Sequence, residues 1–364
     1  MRTLTPGSAK RPARTAGWSL RLFPILLLLH ALGAKADALP PPALNLSGQA
    51  SEAHLEQLRQ AVIATLQKRD YTGGIASGRQ YFDQGGTDLQ VHTLLGSAYY
   101  QLHDYANAAR ELQYAVQGVL RQSHPPEENQ LLLLRRCYQQ LNDSNAEAWS
   151  LEQLVSYYPS TGYWADLLTR TQKRPDFGPR LALDVDRLRL LTGVLSQPAD
   201  YLTMAQRAVE AGFPAEAQQV LDAGFDAGRL GSGPDAANQR QQRENLTRLA
   251  QEDARRIAQP GLAASEAARG GDGLALHRLG FDHVTHGDYA HGLAFMEQAQ
   301  RIGILDEHKP QDAKLRLGIA YVMSGQRERA AAIFSTVGGN HGAADLARIW
   351  GIYARTALRQ GTSR

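Results

Sequence analysis

The chain has 364 residues, of which 43% are hydrophobic, with one cysteine and a formal net charge of +3 at pH 7. A single cysteine excludes an intramolecular disulfide, so stability must come from a packed core, for which this length is ample. Without the first 36 residues, Lys and Arg fall to 33 against 36 acidic residues, a net charge of −3, which excludes the basic balance of a typical nucleic-acid-binding domain.

Residues 1–36 have the pattern of a secretory signal peptide. They contain six basic residues and no acidic one, and an apolar run at 22–32 follows the basic start. The triplet Ala-Lys-Ala at 34–36 is a small-x-small cleavage motif. We therefore predict cleavage after Ala36 and export of a bacterial-type protein to the periplasm.

The alternative is an inner-membrane anchor through an uncleaved segment at 20–32. Spanning a bilayer takes about 20 apolar residues, and this run is shorter and is interrupted by Pro24. A lipid-modified start would need a cysteine at the cleavage point, and Cys137 lies far downstream. Cleavage is therefore the favoured prediction.

Residues 37–51 contain three consecutive prolines and no helical period, which predicts an extended tether. The residues that follow contain units with a regular spacing of small and apolar side chains. In the clearest unit, Gly96 stands at position 8 of the first helix, and Tyr71 and Tyr105 are one 34-residue period apart. The other residues that define the clearest unit are Tyr99, Ala108, Leu112 and Ala115.

These units resemble the tetratricopeptide repeat (TPR) family. The resemblance implies an all-α fold, a right-handed superhelix of about six clear and two degenerate helix pairs that binds partners. No tryptophan occupies position 4, and Arg135 replaces the glycine at position 8 of the third unit. The predicted organisation is a repeat array at 52–230, an irregular hinge region at 231–273, further repeats with a capping helix at 274–358, and a disordered tail at 359–364.

In the TPR family, positions 2, 5, 9, 12 and 13 of the first helices line the concave surface. In the first three units these positions are rich in amide and hydroxyl groups, which suit hydrogen bonding to an extended peptide or a glycan. The predicted groove residues are Arg59, Thr93, Ser97, Tyr100, Gln101, Asn129, Arg136, Gln139 and Gln140.

The last two units carry apolar residues at the same positions. This half is either packed against itself or shaped to receive a helix. The residues are Leu274, His277, Phe281, Val284, Leu315, Ile319 and Val322.

Two groups of polar residues are candidate chemical sites. His277, His283, His286 and His291 form a cluster, but the sequence places no cysteine or firmly positioned carboxylate beside them, so we predict no metal site. Asp184 and Asp186 are two apart on a helix and do not face one another, so ion pairs with Arg187 or Arg189 are expected.

The sequence has no nucleophile elbow, phosphate-binding loop or zinc-protease motif, so we predict no catalytic residues, no cofactor and no enzymatic activity. The resulting hypothesis is a periplasmic scaffold for an envelope complex in energy transduction, secretion or cell-wall assembly. A polysaccharide- or peptidoglycan-binding protein is the alternative, an enzyme is a weaker one, and peripheral association with the membrane stays open. Nucleic acid is not an expected partner.

Overall fold

A computed structural model describes residues 46–175, 177–258, 266–304, 309–339 and 342–361. The chain divides into two compact units, Met1–Ala50 and Ser51–Arg364. The predicted signal peptide lies outside the described residues. The first helix begins at Leu46, so 46–51, which the sequence analysis assigned to an extended tether, is helical, and 37–45 lie outside the described part.

Helices joined by short turns make up the first half of the second unit. They are α1 (Leu46–Gln67), α2 (Tyr71–Asp83), α3 (Leu89–Gln101), α4 (Tyr105–Arg121), α5 (Glu128–Gln140), α6 (Ser144–Tyr157), α7 (Thr161–Gln172) and, after a 3-10 turn at Pro179–Leu181, α8 (Ala182–Leu191).

The second half continues in the same manner. Its helices are α9 (Pro198–Glu210), α10 (Pro214–Asp226), α11 (Ala236–Ile257), α12 (Gly273–Thr285), α13 (Tyr289–Ile302), α14 (Lys309–Met323), α15 (Arg327–Phe334) and α16 (Ala343–Gly361). The end of α16 takes in residues 359–361, which were expected in a disordered tail, and 362–364 lie outside the described part. The compact unit Ser51–Arg364 is not divided near residue 230.

The turn inside a helix pair follows a repeated local pattern. The residue two before the second helix has a positive φ, 59° at His103 and 80° at Gly287. After both of these residues an aspartate follows, and its side chain caps the next helix. Asp104, for example, accepts a hydrogen bond from the backbone N–H of Asn107 at 3.2 Å. Left-handed backbone ends one helix and the carboxylate begins the next. The sequence thus fixes a tight helical hairpin locally.

Small residues let the two helices of a pair approach closely. A Cβ atom added to Gly280 on α12 would lie 2.7 Å from the carbonyl oxygen of Gly292 on α13, and the reverse substitution meets the same distance. Such a contact is possible only without side chains at both positions. Among the described residues there are no strands, and the prediction of an all-α array of TPR-like helix pairs is confirmed.

The third unit departs from this rule because Arg135 stands where other units have Gly96, Gly280 or Gly318. Its Nε donates to Glu147 Oε1 at 3.3 Å, and its Nη2 donates to Asp166 Oδ2 at 2.7 Å. Arg135 therefore joins α5 to the start of α6 and to α7 by ion pairs instead of by close backbone approach.

The last helix packs onto the middle of the array as well as onto its neighbours. α16 lies against α14 and α15, and it also contacts α6. Trp350 on α16 is completely buried. In a simple solenoid each repeat touches only adjacent repeats. The return of α16 makes one continuous core that runs from Leu58 to Ala354.

None of the helices in the described part of the chain is both long and apolar enough to span a bilayer. The apolar run at 22–32 lies outside that part.

Candidate partner-binding surface

The predicted groove residues of α3 share one side of that helix. Thr93, Ser97 and Tyr100 are partly buried, whereas Gln101 is exposed. The Thr93 hydroxyl donates to the carbonyl oxygen of Leu89 at 3.2 Å, and the Ser97 hydroxyl donates to that of Thr93 at 3.0 Å. Both hydroxyls therefore hydrogen-bond to the backbone of their own helix, whereas Gln101, the last residue of α3, is exposed.

The predicted residues of α5 are more open. Asn129, Arg136, Gln139 and Gln140 are all exposed. Gln139 Nε2 donates to Oε1 of the buried Glu147 at 2.7 Å. Within the described part of the chain, Asn129, Arg136 and Gln140 form no side-chain hydrogen bond or ion pair. Their amide and guanidinium groups are therefore available to a ligand.

A hydrogen bond joins the two helices side by side. Gln130 is buried on α5, and its Nε2 donates to Thr93 Oγ1 on α3 at 2.7 Å. We use the term polar face for the exposed and partly buried groove residues of these two helices. The polar face consists of Thr93, Ser97, Tyr100, Gln101, Asn129, Arg136, Gln139 and Gln140.

Arg59 is the remaining predicted groove residue and lies on α1. Its guanidinium donates to the Glu56 carboxylate on the same helix at 2.7 and 2.8 Å. These hydrogen bonds lower the pKa of Glu56 to about 2. No hydrogen bond or ion pair among the described residues joins Arg59 to the polar face, so its place in the groove stays a prediction.

The row of first helices continues from α5 to α7. The Tyr163 hydroxyl on α7 donates to Glu128 Oε1 on α5 at 2.7 Å. Burial, together with this hydrogen bond, raises the pKa of Tyr163. The helices α3, α5 and α7 are therefore linked in series by polar side chains, as first helices in a repeat array should be.

A cavity of about 580 Å³ opens where α6, α7 and α16 meet. Basic side chains outnumber acidic ones in its wall, but each arginine there is already joined to a carboxylate. The arginines of this cavity are thus committed to ion pairs, unlike Arg136 on the polar face. Its charged residues are Arg135, Arg170, Lys173, Arg174, Arg348, Glu152, Asp166 and Asp345.

A second opening, of about 700 Å³, lies between α9 and α11 and was missed by the sequence analysis. Its walls combine apolar with amide side chains. The unit that contains α11 lacks the small residues of the repeat pattern, which hid its place in the array. The lining includes Leu202, Val209, Leu246, Leu249, Gln206, Gln242 and Asn245.

The apolar residues at the groove positions of the last units are not an open surface. Phe281, Leu315 and Ile319 are completely buried. The Phe281 ring packs edge-on against Phe213, which precedes α10, with 5.1 Å between ring centroids. Of the two alternatives for this half, the structure shows the self-packed one.

Asp184 and Asp186 form structural ion pairs, as expected. Arg187 is buried and pairs with Asp184, and its Nε and Nη2 each donate to the Glu216 carboxylate at 2.6 Å. Asp186 pairs with Arg207, yet burial raises its pKa. These groups serve packing between repeats.

Each of the four histidines has a different environment. His277 is buried and neither ring nitrogen has a hydrogen-bond partner among the described residues. Burial, the nearby Arg316 guanidinium adding to its effect, lowers the pKa of His277 to about 3. His283 and His291 both contact the Asp288 carboxylate, with Nδ1 to Oδ2 distances of 2.9 Å.

His286 contradicts the expectation that no carboxylate stands beside this cluster. Its Nε2 lies 2.9 Å from Asp253 Oδ2. Asp282 lies beside the same group, and burial, followed by the charge of Asp253, raises the pKa of Asp282 to about 6. Asp253 comes from an earlier unit, which is why the sequence did not place it here.

Cys137 is buried in α5 within the core. Burial raises the pKa of its thiol to about 11. The thiol is therefore protonated at neutral pH and packs as a small apolar side chain.

No family model matches the chain, and no curated protein matches it. Among solved structures, the chain is similar to a tetratricopeptide repeat protein from Parabacteroides merdae, with 14% identity, a TM-score of 0.30, and coverage of 81% of this chain and 98% of that one. It is also similar to the TPR2AB domain of yeast Sti1 in its complex with pHSP90, with 11% identity, a TM-score of 0.27, and coverage of 86% of this chain and 95% of that one. A third similarity is to the C-terminal part of a TPR protein from Cytophaga hutchinsonii, with 9% identity, a TM-score of 0.28, and coverage of 79% of this chain and 98% of that one. These likenesses are too distant to transfer a partner.

Proposed function

We propose that the protein is a scaffold of the bacterial cell envelope that binds a protein partner through the polar face. The observation that carries this proposal is the set of exposed side chains on α5 without partners in the described part of the chain. Asn129 and Gln140 offer amides, and Arg136 offers a cation. An amide can donate and accept at once, which matches the alternating groups of an extended peptide backbone.

The charge at the polar face favours a particular kind of peptide. Arg136 is exposed and uncommitted, and a guanidinium binds carboxylates through two parallel hydrogen bonds. An acidic side chain in an otherwise polar, extended segment fits this arrangement best. We therefore expect the partner to present at least one Asp or Glu to α5.

The export pattern of residues 1–36 supports an envelope location. We assign the mature chain to the periplasm on this basis. Energy transduction, secretion and cell-wall assembly are the envelope systems in which such a scaffold would serve. We assign no catalytic role and no cofactor to the chain.

Affinity purification after crosslinking in the cell tests the proposal. The tagged protein is compared with R136A/Q140A, which removes the guanidinium and one amide of the polar face. A matched control is R110A/Q117A. Arg110 and Gln117 are exposed on α4, the second helix of its pair, and do not belong to the polar face. Circular dichroism checks that all three proteins are equally helical.

We expect one envelope protein to be enriched with the wild type and the control, and to be lost with R136A/Q140A. Equal enrichment with R136A/Q140A would exclude the polar face as the site. Failure to enrich any envelope protein with the wild type would contradict the scaffold function.

Glycan binding is a second candidate, favoured by the position of Tyr100. Its ring is partly exposed beside the Gln101 amide, and it packs edge-on against Tyr105 with 5.5 Å between centroids. A tyrosine fixed in this way can stack on a sugar ring while amides bind its hydroxyls. Binding to a peptidoglycan or polysaccharide array that Y100A abolishes would favour this function, and an array without signal would exclude it.

A further inference from the structure

Three side chains that are common metal ligands meet at the junction of α11 and α12. Asp253 lies on α11, Asp282 lies on α12, and His286 directly follows α12. One ligand atom from each lies within 4.8 Å of the other two. We propose that Asp253, Asp282 and His286 bind a divalent first-row metal ion, with Zn²⁺ the best fit.

The donor set matches this chemistry. Two carboxylates and one imidazole are oxygen and nitrogen ligands that Zn²⁺ accepts at about 2.0–2.2 Å, with a water in the fourth position. His286 Nε2 already lies 2.9 Å from Asp253 Oδ2, so small side-chain movements bring both atoms to a shared ion. Imidazole favours Zn²⁺ over Mg²⁺, which prefers oxygen ligands alone.

A second observation points to a missing cation. Asp282 is only 4% exposed, and its Oδ1 is buried with no hydrogen-bond partner among the described residues. A buried carboxylate oxygen without a partner is costly, because it has lost water and gained nothing in exchange. The other oxygen of this carboxylate, Oδ2, accepts from Arg256, so Oδ1 is the atom that a metal ion at the cluster would satisfy.

Arg256 is the group with which a metal would compete. Its Nη2 donates to Asp253 Oδ1 at 2.5 Å and also to Asp282. The Arg256 side chain is 58% exposed and stands near the end of α11, so it can turn into solvent when an ion enters. Arg256 therefore compensates the negative charge of the two carboxylates in the metal-free protein, and this competition lowers their affinity for a metal ion.

The site would tie the irregular unit of α11 to the regular pair of α12 and α13. It stands on side chains that are separate from the polar face. The metal proposal and the proposed function can therefore fail independently.

Isothermal titration of the purified protein with ZnCl2, and in parallel with MgCl2, tests the proposal. Loss of an outer-shell partner of a metal ligand typically costs about 10- to 100-fold in affinity, so we expect loss of a ligand itself in D282N or H286A to weaken Zn²⁺ binding by at least about 10-fold. We expect R256Q to tighten it, since the competing guanidinium is gone. The matched control is H291A, which removes an exposed histidine outside the set.

Co²⁺ adds a spectroscopic readout, because the intensity of its visible absorption distinguishes a four-coordinate protein site from the hydrated ion. The expected result is a one-to-one Zn²⁺ complex in the wild type and H291A, weaker in D282N and H286A, and tighter in R256Q. If D282N does not fold, H286A and R256Q still decide. Absence of Zn²⁺ binding, or binding unchanged in H286A and R256Q, would overturn the proposal.

Discussion

The indole nitrogen of Trp350 donates a hydrogen bond to the backbone carbonyl oxygen of Asp184, 3.2 Å away. The two residues lie 166 positions apart, on α16 and α8. Arg316 on α14 reaches the same aspartate, with 3.2 Å between its Nε and Asp184 Oδ2. These contacts join the C-terminal units to the middle of the array. We therefore expect the two halves of the array to unfold in a single cooperative transition.

Substitutions of Trp350 test this coupling. W350A empties a completely buried site, and loss of a large aromatic side chain from a core costs about 3–5 kcal/mol. W350F keeps much of the packing and loses the hydrogen bond to Asp184, so it should cost less than W350A. Urea unfolding monitored by circular dichroism measures both. L141A, at an exposed position, should change the free energy of unfolding by less than about 0.5 kcal/mol.

The same experiment reports on cooperativity. If the contacts at Asp184 couple the two halves, unfolding is a single transition, and W350A shifts it to lower urea concentration. A second transition in the wild type, with only one of the two sensitive to W350A, would show that the halves unfold separately.

Arg187 is the central cation between α8 and α10. Among the described residues, R187A leaves Asp184 with Arg316 as its remaining cation and leaves Glu216 buried without Arg187. We therefore expect a loss of about 3–5 kcal/mol. The double variant R187M/E216L removes the uncompensated charge at Glu216 and should recover part of that loss. Thermal unfolding of the three proteins decides: equal stability of R187A and R187M/E216L would show that the charge is not the cause.

Much of the fold could be predicted because its determinants are local. The small residue at position 8, the turn and the capping aspartate lie within one helix pair, as at Gly96 and Asp104. The return of α16 onto α6 could not be predicted, because no local pattern links Trp350 to Asp184. Contacts between distant repeats depend on how small rotations accumulate along the array.

The candidate sites show the same division. Exposure of Arg136 and Gln140 follows from their positions in one helix, and it agrees with where the family pattern placed the groove. Asp253 and His286 belong to different units, and the irregular α11 hid the register between them. Ligand sets built across repeats need the three-dimensional structure.

Gly280 and Gly292 set the distance between α12 and α13. G280A would place its Cβ 2.7 Å from a backbone oxygen that cannot move aside cheaply, so we expect a loss of about 1–3 kcal/mol. The matched control is G162A in α7, where a Cβ meets nothing within 4 Å. Because alanine favours helix over glycine, G162A should gain up to about 1 kcal/mol. Thermal unfolding that ranks G280A at or above the wild type would contradict this account of the crossing.

His277 predicts a pH dependence of stability. Burial lowers its pKa to about 3 from an ordinary value of 6.5, so the unfolded chain takes up a proton that the folded protein refuses. The stability that the neutral ring contributes is complete above pH 6.5 and is lost as the pH falls toward 3.

Between pH 7 and pH 5, His277 alone should lower the free energy of unfolding by about 2 kcal/mol. Arg316 and Asp184 are the charged groups that act on the ring. Urea unfolding of H277L should therefore show a smaller loss between the two pH values than the wild type. An identical loss in H277L would mean that the buried imidazole does not control the acid sensitivity of the fold.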